Sequence, residues 1–84
     1  MTELYYYIID NTTPSQHRAM LRTYSEMALT REPLALANRT LAGMIADMVS
    51  DYDYDNGTEY ADECDINDMF DELLGYIPYT SYQL

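Results

Sequence analysis

Residues 4–9 read LYYYII, and the conformation of this stretch decides whether the fold contains a sheet. It is short and continuous, rich in aromatic and β-branched residues, and bounded by Asp10-Asn11, which predicts a strand. Both faces of such a strand are apolar, so it is expected to be buried on two sides, or to lie between helices and a second molecule. A lone strand leaves its backbone N–H and C=O groups unpaired and therefore requires a partner. The C-terminal YIPYTSYQL supplies one: residues 79–83, beyond Pro78, are expected to pair with the N-terminal strand, the alternative being pairing across a homodimer. The expected fold class is α+β, about three helices with a small sheet, in one domain spanning residues 1–84 and existing as a monomer or homodimer.

The helices show by period and by cap. Thr13, Pro14 and Gln16 spell a capping box with proline at the first helical position, followed by His17, Met20, Leu21, Tyr24, Met27 and Ala28 at helical spacing. His17, the only histidine, reads as a packed or rim residue on that face. A turn over Thr30–Glu32 leads to Pro33 and a second helix within residues 33–50, with Leu34, Ala37, Leu41, Met44, Ile45 and Met48 on one stripe. Asp65 caps a third helix whose apolar face is Ile66, Met69, Phe70, Leu73, Leu74 and Ile77, with Gly75 placed to end it. Between these helices, residues 51–65 (DYDYDNGTEYADECD) carry turn chemistry at Asn56-Gly57 and no sustained period. They are expected to form mainly a loop, with a short helical turn near Thr58.

Charge separates the chain into halves. The formal net charge is −11 with no lysine. Residues 1–46 hold Glu3, Asp10, Glu26 and Glu32 against Arg18, Arg22, Arg31 and Arg39, which cancel. Residues 47–84 hold eleven acids and no base, all eleven between Asp47 and Glu72. Like charges at close range oppose compaction, so the asymmetry points to attraction toward a basic partner and to avoidance of nucleic acid and anionic membrane.

Asp51, Asp53 and Asp55 alternate as in an EF-hand calcium loop, with Asp62 at the closing position. The register departs from that pattern: Asn56 stands where the loop glycine belongs, and Asp62 is shorter than the usual bidentate glutamate. No nucleophile elbow, phosphate-cradling glycine loop or Cys–His pair occurs, so no catalytic residue, no cofactor and no enzyme activity is expected. Cys64 is the only cysteine, which excludes an intrachain disulfide. The N-terminus lacks the basic and apolar regions of a signal peptide and no stretch approaches a membrane span, so the expected compartment is the cytoplasm.

The acids fit a nucleic-acid-like surface better than a metal loop. On the third helix Asp65, Asp68, Asp71 and Glu72 oppose the apolar stripe, with a charge about every 5 Å. Asp47, Asp51, Asp53, Asp55, Glu59, Asp62 and Glu63 extend the run, and carboxylates accept bidentate arginine as phosphates do. Tyr52 continues the second helix's stripe, whereas Tyr54 is expected to be exposed and to act as an aromatic anchor.

In size, charge and patterning, and in the run from Asp47 to Glu72 with DYDYD and DINDMFDE as its densest parts, the chain resembles the small acidic DNA-mimic inhibitors of phages and plasmids, among them anti-CRISPR and anti-restriction proteins. The resemblance implies steric blocking of the nucleic-acid site of a host defence complex or DNA-processing enzyme, in the host cytoplasm. An acidic antitoxin or regulatory partner of a basic protein is the other reading of the same charge.

Overall fold

The computed structural model describes residues 1–82. Among them no residue is in a strand, and 82% are helical, so the domain is all-helical and the expected α+β class is overturned. LYYYII lies inside α1 (Thr2–Asp10). The physical reason is in its spacing: Leu4 and Ile8, and Tyr5 and Ile9, stand four apart, and these four are buried while Glu3, Tyr6 and Asp10 face solvent. β-propensity on a six-residue run loses to the packing of an amphipathic turn. The expected C-terminal strand is also absent over Tyr79–Tyr82, which form a 3₁₀ turn. Its last expected residue, Gln83, lies outside the described residues.

The α2 helix (Pro14–Thr30) begins with the capping box read from sequence. Thr13 Oγ1 accepts from the Gln16 N–H at 3.1 Å, and Gln16 Oε1 accepts from the Thr13 N–H at 2.8 Å. It ends at Arg31, whose φ of 61° is left-handed. The expected second helix divides into α3 (Leu34–Ala37) and α4 (Arg39–Asn56) at Asn38, whose Oδ1 accepts from the Leu41 N–H and so starts a new helix. α4 then runs through DYDYD to Gly57, which ends it at φ 66°. The expected loop over residues 51–65 is therefore helix as far as Asn56, followed by α5 (Tyr60–Glu63). Asp65 caps α6 (Ile66–Leu73) through its Oδ1, which accepts from the Asn67 N–H at 2.7 Å, and a 3₁₀ turn (Leu74–Tyr76) follows.

The core is one cluster in which α1 packs on α4, and Met20 of α2, Leu34 of α3 and Met69, Phe70 and Leu73 of α6 belong to it together with Ile45 and Val49 of α4. The molecule measures 35 × 27 × 18 Å, and with helices about 10 Å across the shortest dimension holds two layers. Tyrosine rings fill the seams. Tyr7, Tyr52 and Tyr60 link α1, α4 and α5, with centroids 5.6 and 6.2 Å apart. Tyr76 lies 5.1 Å from both Tyr5 and Tyr6.

Candidate functional site

Because α4 continues through residue 56, Asp47, Asp51 and Asp55 recur every four residues and form one ridge, all three exposed. A rise of about 1.5 Å per residue sets neighbouring charges about 6 Å apart along it. Asp47, Asp51 and Tyr54 lie opposite the buried stripe of Leu41, Ala42, Ile45 and Val49, and Tyr54 is 91% exposed. Helical geometry works against this ridge twice. Like charges four apart repel, and three aspartates crowd the C-terminal turns, where the carbonyl ends of the macrodipole are already negative.

Asp53 is different. Two residues along a helix is about 200° of rotation, so its carboxylate points away from the ridge and toward α5. Asp53 Oδ1 accepts from Thr58 Oγ1 at 2.6 Å and from the Tyr60 N–H at 3.0 Å, and Oδ2 accepts from the Ala61 N–H at 2.9 Å. Burial works to raise its pKa, but the bonds from Thr58, Ala61 and Tyr60 outweigh burial and hold the carboxyl below its usual value. Asp53 is thus a brace for α5.

The same geometry removes the EF-hand alternative. Asp51, Asp53 and Asp55 diverge around a helix instead of converging in a loop, Asp62 lies on α5, and among the described residues no group of three or more His, Cys, Asp or Glu is placed to hold a metal ion.

Glu59, just before α5, and Asp62 and Glu63 within it are exposed and lie between α4 and α6 along the chain. On α6, Asp68 is exposed directly opposite the buried Met69, Phe70 and Leu73. Asp71 and Glu72 flank it, and each engages a tyrosine. Hydrogen bonding to Asp71, and the charge of that carboxylate, raise the Tyr24 phenol's pKa. Tyr5, 2% exposed, donates its hydroxyl to Glu72 Oε2 at 2.8 Å. The sequence-derived set therefore separates in space. Asp47, Asp51, Tyr54, Asp55, Glu59, Asp62, Glu63 and Asp68 project outward, whereas Asp53, Asp71 and Glu72 also hold the fold.

Sequence reasoning missed a cleft of about 270 Å³ between the start of α1 and α6, lined by Met1, Tyr5, Glu63, Cys64, Asp65, Asp68, Met69 and Glu72. Only a helical α1 brings Met1 and Tyr5 to this place, so the strand reading concealed it. A second cleft of about 240 Å³, between α4 and α6, shares Cys64 and Met69 with the first.

Every arginine lies at or before residue 39. On α4 itself, Arg39 and Asp55 are sixteen residues and about 24 Å apart, more than two Debye lengths at physiological salt. No helix among the described residues is long and apolar enough to cross a membrane. Comparison of the chain with known protein families, curated proteins and solved structures finds no match.

Proposed function

We propose that the protein is an inhibitor of a nucleic-acid-binding protein or ribonucleoprotein complex, of the anti-CRISPR or anti-restriction kind, that presents its α4–α6 face to the target's basic cleft and blocks it sterically. The observation that carries this reading is the solvent-facing ridge Asp47–Asp51–Asp55, followed in sequence by the exposed acids Glu59, Asp62, Glu63 and Asp68, with no base in the chain beyond Arg39. A strand of duplex DNA carries a phosphate about every 3.4 Å of axis, and two carboxylate rows with charges about every 5–6 Å offer arginine and lysine side chains a comparable density of acceptors. Asp51 and Asp55, kept toward the unfavourable end of α4 and outside the Asp53 brace, support the reading, because a structural role alone would be better served by neutral or basic residues there. Tyr54, three residues after Asp51, adds an exposed aromatic contact beside the ridge.

Action by occlusion needs no catalytic group and no cofactor from this chain. The test is to neutralise the ridge with Asp47→Asn, Asp51→Asn and Asp55→Asn, leaving Asp53 as the brace of α5. Binding to the target, recovered from a bacterial lysate, should weaken by at least about tenfold and lose much of its salt dependence. Unchanged affinity across salt would reject charge mimicry. An acidic regulator of a basic toxin would use the same face, and it is separated by whether the captured partner binds nucleic acid at the blocked site.

A further inference from the structure

Asn56 and Gly57 end α4, and their pairing carries a chemistry separate from that of the acidic face. A backbone nitrogen can attack the side-chain amide of the residue before it and close a cyclic imide. Glycine hinders this attack least because it has no Cβ. The other asparagines, Asn11, Asn38 and Asn67, are followed by Thr12, Arg39 and Asp68, which all carry one.

In the folded chain both reacting groups are engaged elsewhere. Asn56 Nδ2 donates to the Tyr52 carbonyl at 2.9 Å, which draws the side-chain amide back along the helix. The Gly57 N–H donates to the Asp53 carbonyl, which the Thr58 N–H also reaches at 3.2 Å. Ring closure must break the bonds held by Asn56 and Gly57 and rotate Asn56 out of its helical backbone conformation. Both residues are nonetheless exposed, and they sit in the last turn of α4, where helices fray and where Asp51 and Asp55 face the negative end of the dipole. Just beyond, the bonds from the Asp53 carboxylate to Thr58, Tyr60 and Ala61 tie down the following segment.

We infer that Asn56 is a deamidation site gated by the last turn of α4, and that its conversion disables the gate. When the turn opens, solvent base removes the Gly57 amide proton and the nitrogen forms a bond to Asn56 Cγ. The Cγ–Nδ2 bond then breaks, and the departing nitrogen takes a proton from solvent and leaves as ammonia. Water opens the imide at either carbonyl, giving aspartate when it adds to Cγ and isoaspartate when it adds to the main-chain carbonyl carbon. The net exchange is ammonia for water, with no oxidation or reduction. Neither product rebuilds the turn. Aspartate has no donor for the Tyr52 carbonyl and adds a negative charge at the negative end of the helix, and isoaspartate routes the backbone through the side chain and interrupts the helical hydrogen-bond register.

The test follows the full chain by peptide-mapping mass spectrometry in mildly alkaline buffer, native and in guanidinium chloride. The unfolded chain should convert Asn56 ahead of Asn11, Asn38 and Asn67. The native chain should convert it at least about tenfold more slowly, because only the open fraction reacts. Asp53→Ala releases residues 58–61 while keeping the carbonyl that holds the Gly57 N–H, and should speed native conversion several-fold. Thr58→Ala removes one bond of the brace and should speed it by less, and thermal melts establish that both variants are folded during incubation. Asn56→Asp should lower Tm by several degrees. An unfolded chain that keeps Asn56 overturns the site. Equal native and unfolded rates, or a native rate that neither variant moves, overturn the gate, and an Asn56→Asp chain that melts with the wild type overturns the loss of the turn on conversion.

Discussion

The hydroxyl of Tyr5 donates to Glu72 Oε2 at 2.8 Å, joining the first helix to α6 across 67 residues of sequence. Burial first, then the hydrogen bond and the negative charge of Glu72, raise the phenol's pKa well above its usual value near 10. A group whose folded pKa is raised contributes stability that is complete below its unfolded pKa and declines as pH rises toward the folded value. Stability should therefore fall above pH about 10, and Tyr24 and Tyr52, whose pKa values are also raised, act in the same direction. Tyr5→Phe should destabilise the protein by about 1–2 kcal/mol at pH 7 and flatten the alkaline slope, as thermal melts from pH 8 to 11 would show.

Asp53 braces the start of α5 through three hydrogen bonds. Asp53→Ala should cost about 1 kcal/mol and lower Tm by about 4–8 °C. Its carboxyl pKa is depressed, so this contribution is present above the unfolded value near 3.9 and is lost as pH falls through the lower folded value. Urea denaturation of the wild type and of Asp53→Ala between pH 2 and 7 should show the difference between them vanish at the acid end.

The ridge variants should separate stability from binding. Asp51→Asn with Asp55→Asn relieves two like-charge contacts and an unfavourable dipole interaction, so Tm should rise by about 2–4 °C even as partner binding weakens. Wild-type Tm should rise with monovalent salt, and the variant's should rise less, because it has less repulsion to screen.

His17, 4% exposed, joins three segments. Its Nε2 lies 2.7 Å from Thr12 Oγ1 and 3.2 Å from the Ile9 carbonyl, and its Nδ1 lies 2.8 Å from Ser81 Oγ. A carbonyl only accepts, which assigns the proton to Nε2 and leaves Nδ1 to accept from Ser81. Ser81→Ala strands a buried acceptor and should destabilise by about 1–3 kcal/mol, with the loss concentrated in hydrogen-exchange protection of Tyr79–Tyr82.

What the sequence made legible were the features with local causes. The Thr13 box, the Asp65 cap and the apolar face of α6 are written in residues three or four apart, whereas the face of α2 was read only in part, since Tyr24 and Ala28 are exposed and Thr23 is buried beside His17 and Met20. Tyr54 could be placed outside because Tyr52, two positions earlier, continues the buried stripe. LYYYII misled because strand propensity and helical burial agree on the same residues, and only packing against α4 decides between them. DYDYD misled because acids near a helix C-terminus are locally unfavourable and therefore look like loop. The Tyr5–Glu72 bond and the cleft beside it were illegible because their residues meet only through the tertiary fold, and Asp53's role depends on the return of residues 58–61.

The central claim is that the acidic face occupies a nucleic-acid site. Its most direct test is competition on the captured partner between this protein and a fluorescent duplex or guide–target nucleic acid, followed by anisotropy from 50 to 300 mM salt. The account predicts full displacement of the nucleic acid, with no ternary complex and an affinity that falls steeply with salt. A ternary complex that retains the nucleic acid, or an affinity independent of salt, would contradict it.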